Sequence, residues 1–136
     1  MPFFELIASL CKKYREVAVF LCVGGVATLS HYGVAVTCVF FLGVSLQLAN
    51  IMGFGAGFLV SYFGHARLTF KSQIDMTSFL KFIVLAACNY GLSAFLLFIF
   101  SEKLALDYRI AFFLVVSILP IVSFLAGKYL VFQTAR

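Results

Sequence analysis

Long apolar runs dominate the chain, and charged residues fall between them rather than within them. Four such runs lie at about residues 17–42, 48–62, 82–100 and 110–127. A helix that crosses a bilayer needs roughly 20 predominantly apolar residues. None of the runs shows the strict period-two alternation of a membrane barrel strand, and each is longer than the roughly 9–11 residues such a strand uses. Only helices and closed barrels satisfy their backbone groups in hydrocarbon. The pattern therefore predicts an all-α membrane protein with four transmembrane helices. Turns are expected at about 43–47 and 101–109, giving two helical hairpins.

Ahead of the first run, residues 1–16 show a different pattern. On a helix, Phe3, Phe4, Leu6, Ile7 and Leu10 would face lipid, while Lys12, Lys13 and Arg15 would face headgroups. The segment reads as an amphipathic interfacial helix, with a disordered tail as the alternative. It lacks the basic start and small-residue cleavage site of a signal peptide. Residues 17–136 then form the transmembrane domain.

The two hairpins echo each other at a separation of about 60 residues. His31-Tyr32-Gly33 finds a counterpart in Asn89-Tyr90-Gly91. Ser61-Tyr62-Phe63, running on to Arg67-Leu68-Thr69-Phe70, finds one in Ser123-Phe124-Leu125, running on to Tyr129-Leu130-Val131-Phe132. Two spans per repeat make the hairpins parallel, related by an axis along the membrane normal. Chance similarity between two oily segments is the competing explanation. Pro120 falls inside the fourth run and should kink it, with Ser117 helping to satisfy the freed carbonyl. The kink reads either as ordinary structure or as a gating hinge.

Composition strengthens the membrane assignment. Hydrophobic residues make up 64% of only 136 residues, at a mean hydropathy of +1.12. A soluble domain this small has too little interior for that apolar surface. Lys12, Lys13 and Arg15 lie at the N-terminal end, Arg67, Lys71 and Lys81 around the central connector, and Lys128 and Arg136 at the C-terminal end. The other two connectors hold Lys103 and Arg109, offset by Glu102 and Asp107. Positive charge stays inside, so both termini and the central connector are expected to be cytoplasmic. The formal net charge of +5 suits anionic headgroups, and no nucleic-acid-binding motif is present. Cys11, Cys22, Cys38 and Cys88 form no CxxC or Cys/His pattern and read as apolar fillers, so no metal site is expected.

Polar side chains inside a span each need a reason. His31 either joins a proton or headgroup path or hydrogen-bonds Asn89, Tyr90 or Ser93 across helices. Tyr32, Asn89 and Tyr90 share that ambiguity. Asn50, at the outer end of the second run, reads as a cap. Gly53 and Gly57 form a small-xxx-small step for close helix packing, and Gly24, Gly25 and Thr28 give the first helix a similar face. His65, Arg67 and Lys128 stand where the second and fourth helices leave the membrane. They either snorkel and set topology or gather a phosphate. No Asp or Glu falls within a span core, which argues against a proton-coupled exporter of cationic drugs. No nucleophile–base–acid set exists, so a non-enzymatic role with no cofactor is expected.

Several of these residues carry a family resemblance. Val23-Gly24-Gly25 with Thr28, then Leu48-Ala49-Asn50, then Ser61-Tyr62-Phe63-Gly64-His65-Ala66-Arg67-Leu68-Thr69-Phe70, and finally Phe124-Leu125-Ala126-Gly127-Lys128-Tyr129-Leu130-Val131-Phe132 occur in order over nearly the whole chain. In this the chain resembles the GtrA-like four-helix membrane proteins. The resemblance implies a bacterial inner-membrane protein that flips a polyprenyl-phosphate-linked monosaccharide, such as glucose on undecaprenyl phosphate, for cell-surface polysaccharide synthesis. On that reading Arg67, Lys128 and His65 would gather the phosphate, and His31, Tyr32, Asn89 and Tyr90 would line the headgroup path. The alternative is a subunit that anchors a partner glycosyltransferase and transports nothing. Four helices make a thin bundle, so a homo-oligomer or a glycosyltransferase complex is expected, with the small face of the second helix as the contact.

Overall fold

A computed structural model describes residues 2–132; Arg136, counted above among the cytoplasmic charges, lies outside them. Among the described residues there are helices and turns and no strand. The chain divides into two compact units, Met1–Gln73 and Ile74–Arg136. The first holds α1 (Pro2–Leu42) and α2 (Leu46–Gly64), and the second holds α3 (Met76–Phe98) and α4 (Tyr108–Ala126). Three segments continue a helix as one wider π turn: His65–Thr69 after α2, Ile99–Lys103 after α3 and Gly127–Val131 after α4.

Local chemistry sets the helix starts. The Ser45 hydroxyl accepts from the Leu48 amide at 3.3 Å and caps α2. Asp75 and Ser78 form a reciprocal capping box at the start of α3, where the Ser78 amide donates to Asp75 Oδ1 at 2.6 Å. Asp107 accepts from the Arg109 amide at 2.9 Å and caps α4. Each satisfies an amide that the first helical turn leaves without a backbone partner.

Three helix ends close in one way. Gly43, Lys71 and Ala105 adopt left-handed backbone conformations, at φ 61°, 50° and 52°. The next residue then donates to a carbonyl six positions back: Val44 to Cys38, Ser72 to Ala66 and Leu106 to Phe100. Only Gly43 takes this conformation without a Cβ penalty.

The internal repeat has one uniform register. Helix α4 and the π turn after it begin 62 positions after α2 and its π turn, from 46 to 108 and from 65 to 127, whereas α3 starts later in its repeat than α1 does. The left-handed residues Gly43 and Ala105 keep that spacing. So do the ring pairs Phe20–Phe70, at 6.4 Å, and Phe82–Phe132, at 5.8 Å. The expected pairing of His31-Tyr32-Gly33 with Asn89-Tyr90-Gly91 is therefore one helical turn out. His31 corresponds to Ser93, and Asn89 to Ala27. A four-residue slip keeps the same helix face, so apolar sequence alone does not expose it.

Within the first unit α1 and α2 are antiparallel and tightly packed. A Cβ on Gly53 would meet the His31 carbonyl oxygen at 2.6 Å, and one on Gly57 would meet that of Ala27 at 2.9 Å. The glycine face of α2 is thus closed by α1 and is not free for another chain, contrary to the expected oligomer contact. Gly24 and Gly25 take no part in this packing; the α1 residues involved are Val23, Ala27, His31 and Ala35.

Among the described residues, three helical segments are long and apolar enough to cross a membrane: Phe3–Leu42, Met76–Lys103 and Arg109–Val131. Helix α2, which carries Gln47, Asn50 and four glycines, stands outside that set but runs back along α1. α1 is unbroken over 41 residues, so the helix shows no break at the expected 16–17 boundary. Most large apolar side chains point outward, with Phe40 and Phe41 more than 80% exposed. Lipid is the medium that satisfies such a surface.

Candidate functional site

The basic exits are built on the π turns. A π turn inserts one residue per turn and recurs at functional positions in helices. In the first unit it buries His65, whose ring stacks on Phe20 at 4.3 Å. Nδ1 of His65 and the Thr69 hydroxyl are hydrogen-bonded at 3.2 Å. Arg67, two residues on, is exposed. In the second unit Lys128 occupies the corresponding turn, and its Nζ lies 5.8 Å from the Phe124 ring centre and 6.0 Å from that of Tyr129. The 62-residue register aligns Lys128 with Ala66, one position before Arg67. Each unit therefore ends its second helix on a π turn carrying one cation, while His65 is a packed member of its unit's core.

In each unit a polar pair joins the two helices. Nε2 of His31 donates to Asn50 Oδ1 at 3.0 Å. Nδ2 of Asn89 donates to Ser123 Oγ at 2.8 Å. Within its own unit the cross-helix partner of His31 is thus Asn50. Asn50 does not cap α2, because Ser45 does. Its position three residues before Gly53 and seven before Gly57 puts it on the face that approaches α1, the one sequence signal for this pair. Ser123 carried no comparable signal. Tyr32 and Tyr90 point away from their own units' packing, at 69% and 80% exposure. His31 and Tyr32 are neighbours in sequence but about 100° apart around the helix.

Pro120 lies inside α4, which continues through it from Tyr108 to Ala126. The carbonyl a proline frees is four residues back, at position 116. The Ser117 hydroxyl instead donates to the Phe113 carbonyl at 2.8 Å, so the expected compensation is not formed.

Apolar helices with exposed greasy surfaces, cationic ends and polar pairs between neighbouring helices define a multi-pass membrane protein. The chain belongs to the family described as GtrA/DPMS, transmembrane domain, whose model matches residues 19–132. That family relates to the handling of polyprenyl-phosphate sugars. Comparison with curated proteins and with solved structures returned no match.

Proposed function

We propose that this protein moves a polyprenyl-phosphate-linked monosaccharide across the bacterial inner membrane, without catalysing a covalent step. Both termini and the connector around Lys71 face the cytoplasm, and the two hairpins insert in the same sense. Helix α2 crosses with α1, because a helix packed back along a spanning partner returns to the side that partner left. The observation that carries the reading is the recurrence, in one repeat register, of a π-turn exit, each carrying a cation at adjacent rather than equivalent positions: Arg67 in one unit and Lys128 in the other. Arg67 offers a bidentate guanidinium to a phosphate, and Lys128 a point charge.

The polar pairs supply the second element. Moving a sugar and a phosphate through hydrocarbon is costly because their hydrogen bonds to water are lost. His31–Asn50 and Asn89–Ser123 are exchangeable hydrogen-bonding groups, of the kind that substitutes for water at such depth. The prenyl tail needs no protein and stays in lipid. Each 1.36 kcal/mol removed from the barrier speeds crossing about tenfold.

The test is reconstitution of the purified chain in liposomes that carry a labelled polyprenyl-phosphate-sugar in one leaflet. Faster equilibration than in protein-free liposomes supports transport. Equal rates, with a partner glycosyltransferase lost from membranes when the chain is deleted, would make it an anchoring subunit instead.

A further inference from the structure

We propose that α1 is the surface through which two copies of this chain associate, side by side and parallel, along one heptad seam. The helix runs unbroken from Pro2 to Leu42. Its packing against α2 and the following π turn reaches Phe20, which stacks on His65 and neighbours Phe70. The helix ahead of Phe20 extends about 26 Å further, at 1.5 Å per residue. That arm lies before residue 19, where the family match begins.

Along one face of the helix stand Phe3, Ile7, Leu10, Tyr14, Val17 and Leu21, all exposed. Their spacing alternates four and three, which is the a/d repeat of a coiled coil. Gly24 and Thr28 continue it at the same spacing, and a Cβ on Gly24 would meet nothing within 4 Å. The seam changes character where its surroundings do. Large apolar residues precede and flank the basic cluster of Lys12, Lys13 and Arg15, and small ones follow inside the span. In water a helix pair gains from burying large apolar side chains, whereas in lipid it gains from small residues that let backbones approach.

Two further observations select a second copy as the occupant. Glu5, Lys12, Arg15 and Glu16 fall at b, c and f positions, away from the seam, and Lys13 is the single charge flanking it. Two identical seams therefore meet without opposed like charges. Copies inserted with one topology also present their arms parallel on one side, as an a/d seam in register requires. The bilayer surface is a poor occupant. No glycine or proline lies between Phe3 and Val23, so the arm stays on the axis of the span and does not fold down onto headgroups.

The experiment uses the full chain in liposomes, with Cys11, Cys22 and Cys88 replaced by Ala and the buried Cys38 retained. Single cysteines are then oxidised by copper phenanthroline. Ile7→Cys, Leu10→Cys and Tyr14→Cys should give at least fivefold more disulfide-linked dimer than Ser9→Cys, Lys12→Cys and Glu16→Cys. In detergent, Ile7→Lys with Leu10→Lys should raise the dimer dissociation constant at least tenfold by sedimentation, with helical circular dichroism unchanged. Absent crosslinks, crosslinks without the three–four period, or an unchanged dissociation constant would overturn the proposal. So would quenching of a fluorophore at position 7 by a lipid-borne quencher, which would place the arm on the bilayer.

Discussion

Replacing Gly53 by Ala puts one methyl group where the structure has no room for it. The new Cβ would lie 2.6 Å from the His31 carbonyl oxygen, 2.6 Å from His31 Cδ2 and 3.0 Å from Ala35 Cβ. The carbonyl belongs to the α1 backbone and cannot rotate aside, so the helices must separate by about 0.5–1 Å. A gap of that size forfeits about a quarter to a half of each dispersion contact across it. Overpacking of this kind costs about 1–3 kcal/mol. The separation also stretches the 3.0 Å His31–Asn50 bond. A hydrogen bond between membrane helices contributes about 0.6 kcal/mol on average, with a maximum near 1.7. Alanine returns about 1 kcal/mol through helix propensity. The net expectation is about 1–3 kcal/mol of destabilisation. Gly55→Ala is the internal control, since its Cβ meets nothing within 4 Å, and it should be neutral or stabilising by up to about 1 kcal/mol. Titrating folded protein in mixed micelles with dodecyl sulfate, followed by circular dichroism, reads both. If Gly53→Ala unfolds at the same midpoint as Gly55→Ala, the close packing of α1 on α2 is wrong.

Ala105→Gly should stabilise the second unit by about 1 kcal/mol and Gly43→Ala should destabilise the first by a similar amount, because both positions are left-handed; the same titration measures them. Asn89→Leu and Ser123→Ala should each cost about 0.6–1.7 kcal/mol, and the double variant should cost less than the two together, as a double-mutant cycle would show. The Ser78 amide, and then its hydroxyl, hold the Asp75 carboxyl below its usual range. A lowered folded value stabilises the helix start above the unfolded pKa of about 3.9, and that contribution is lost as pH falls through the lower folded value. Amide exchange at the start of α3 should accelerate in that acid window, and Asp75→Asn should flatten the dependence.

Much of this architecture is written in residue type. Apolar runs without internal charge give the helices, and the cations between them mark the ends. The second-half cues Phe124 and Tyr129–Phe132 were enough to reveal a repeat. The register was legible from residues 61–70 against 123–132, which lie 62 apart, but not from His31 against Asn89, because a slip of four residues conserves the helix face. The left-handed turns at Gly43 and Ala105 and the rings of Phe20 and Phe82 fix it, and those act through closure and packing rather than local preference. Asn50 lies near a helix start and so resembles a cap in sequence; the cap is Ser45, and Asn50 is claimed by the face it shares with Gly53 and Gly57. The burial of His65 depends on Phe20, 45 positions earlier, which no local pattern announces. The continuity of α1 was available in the absence of Gly and Pro from Phe3 to Val23, but a change from amphipathic to apolar patterning suggested a boundary.

The role of the two cationic exits is tested most directly by charge removal in proteoliposomes. Arg67→Gln and Lys128→Gln keep polar side chains at the π turns and remove the positive charges. With circular dichroism unchanged, each should slow translocation of a labelled polyprenyl-phosphate-sugar at least tenfold, and the pair should bring it to the protein-free rate. Translocation at the full wild-type rate in the folded double variant would contradict the account.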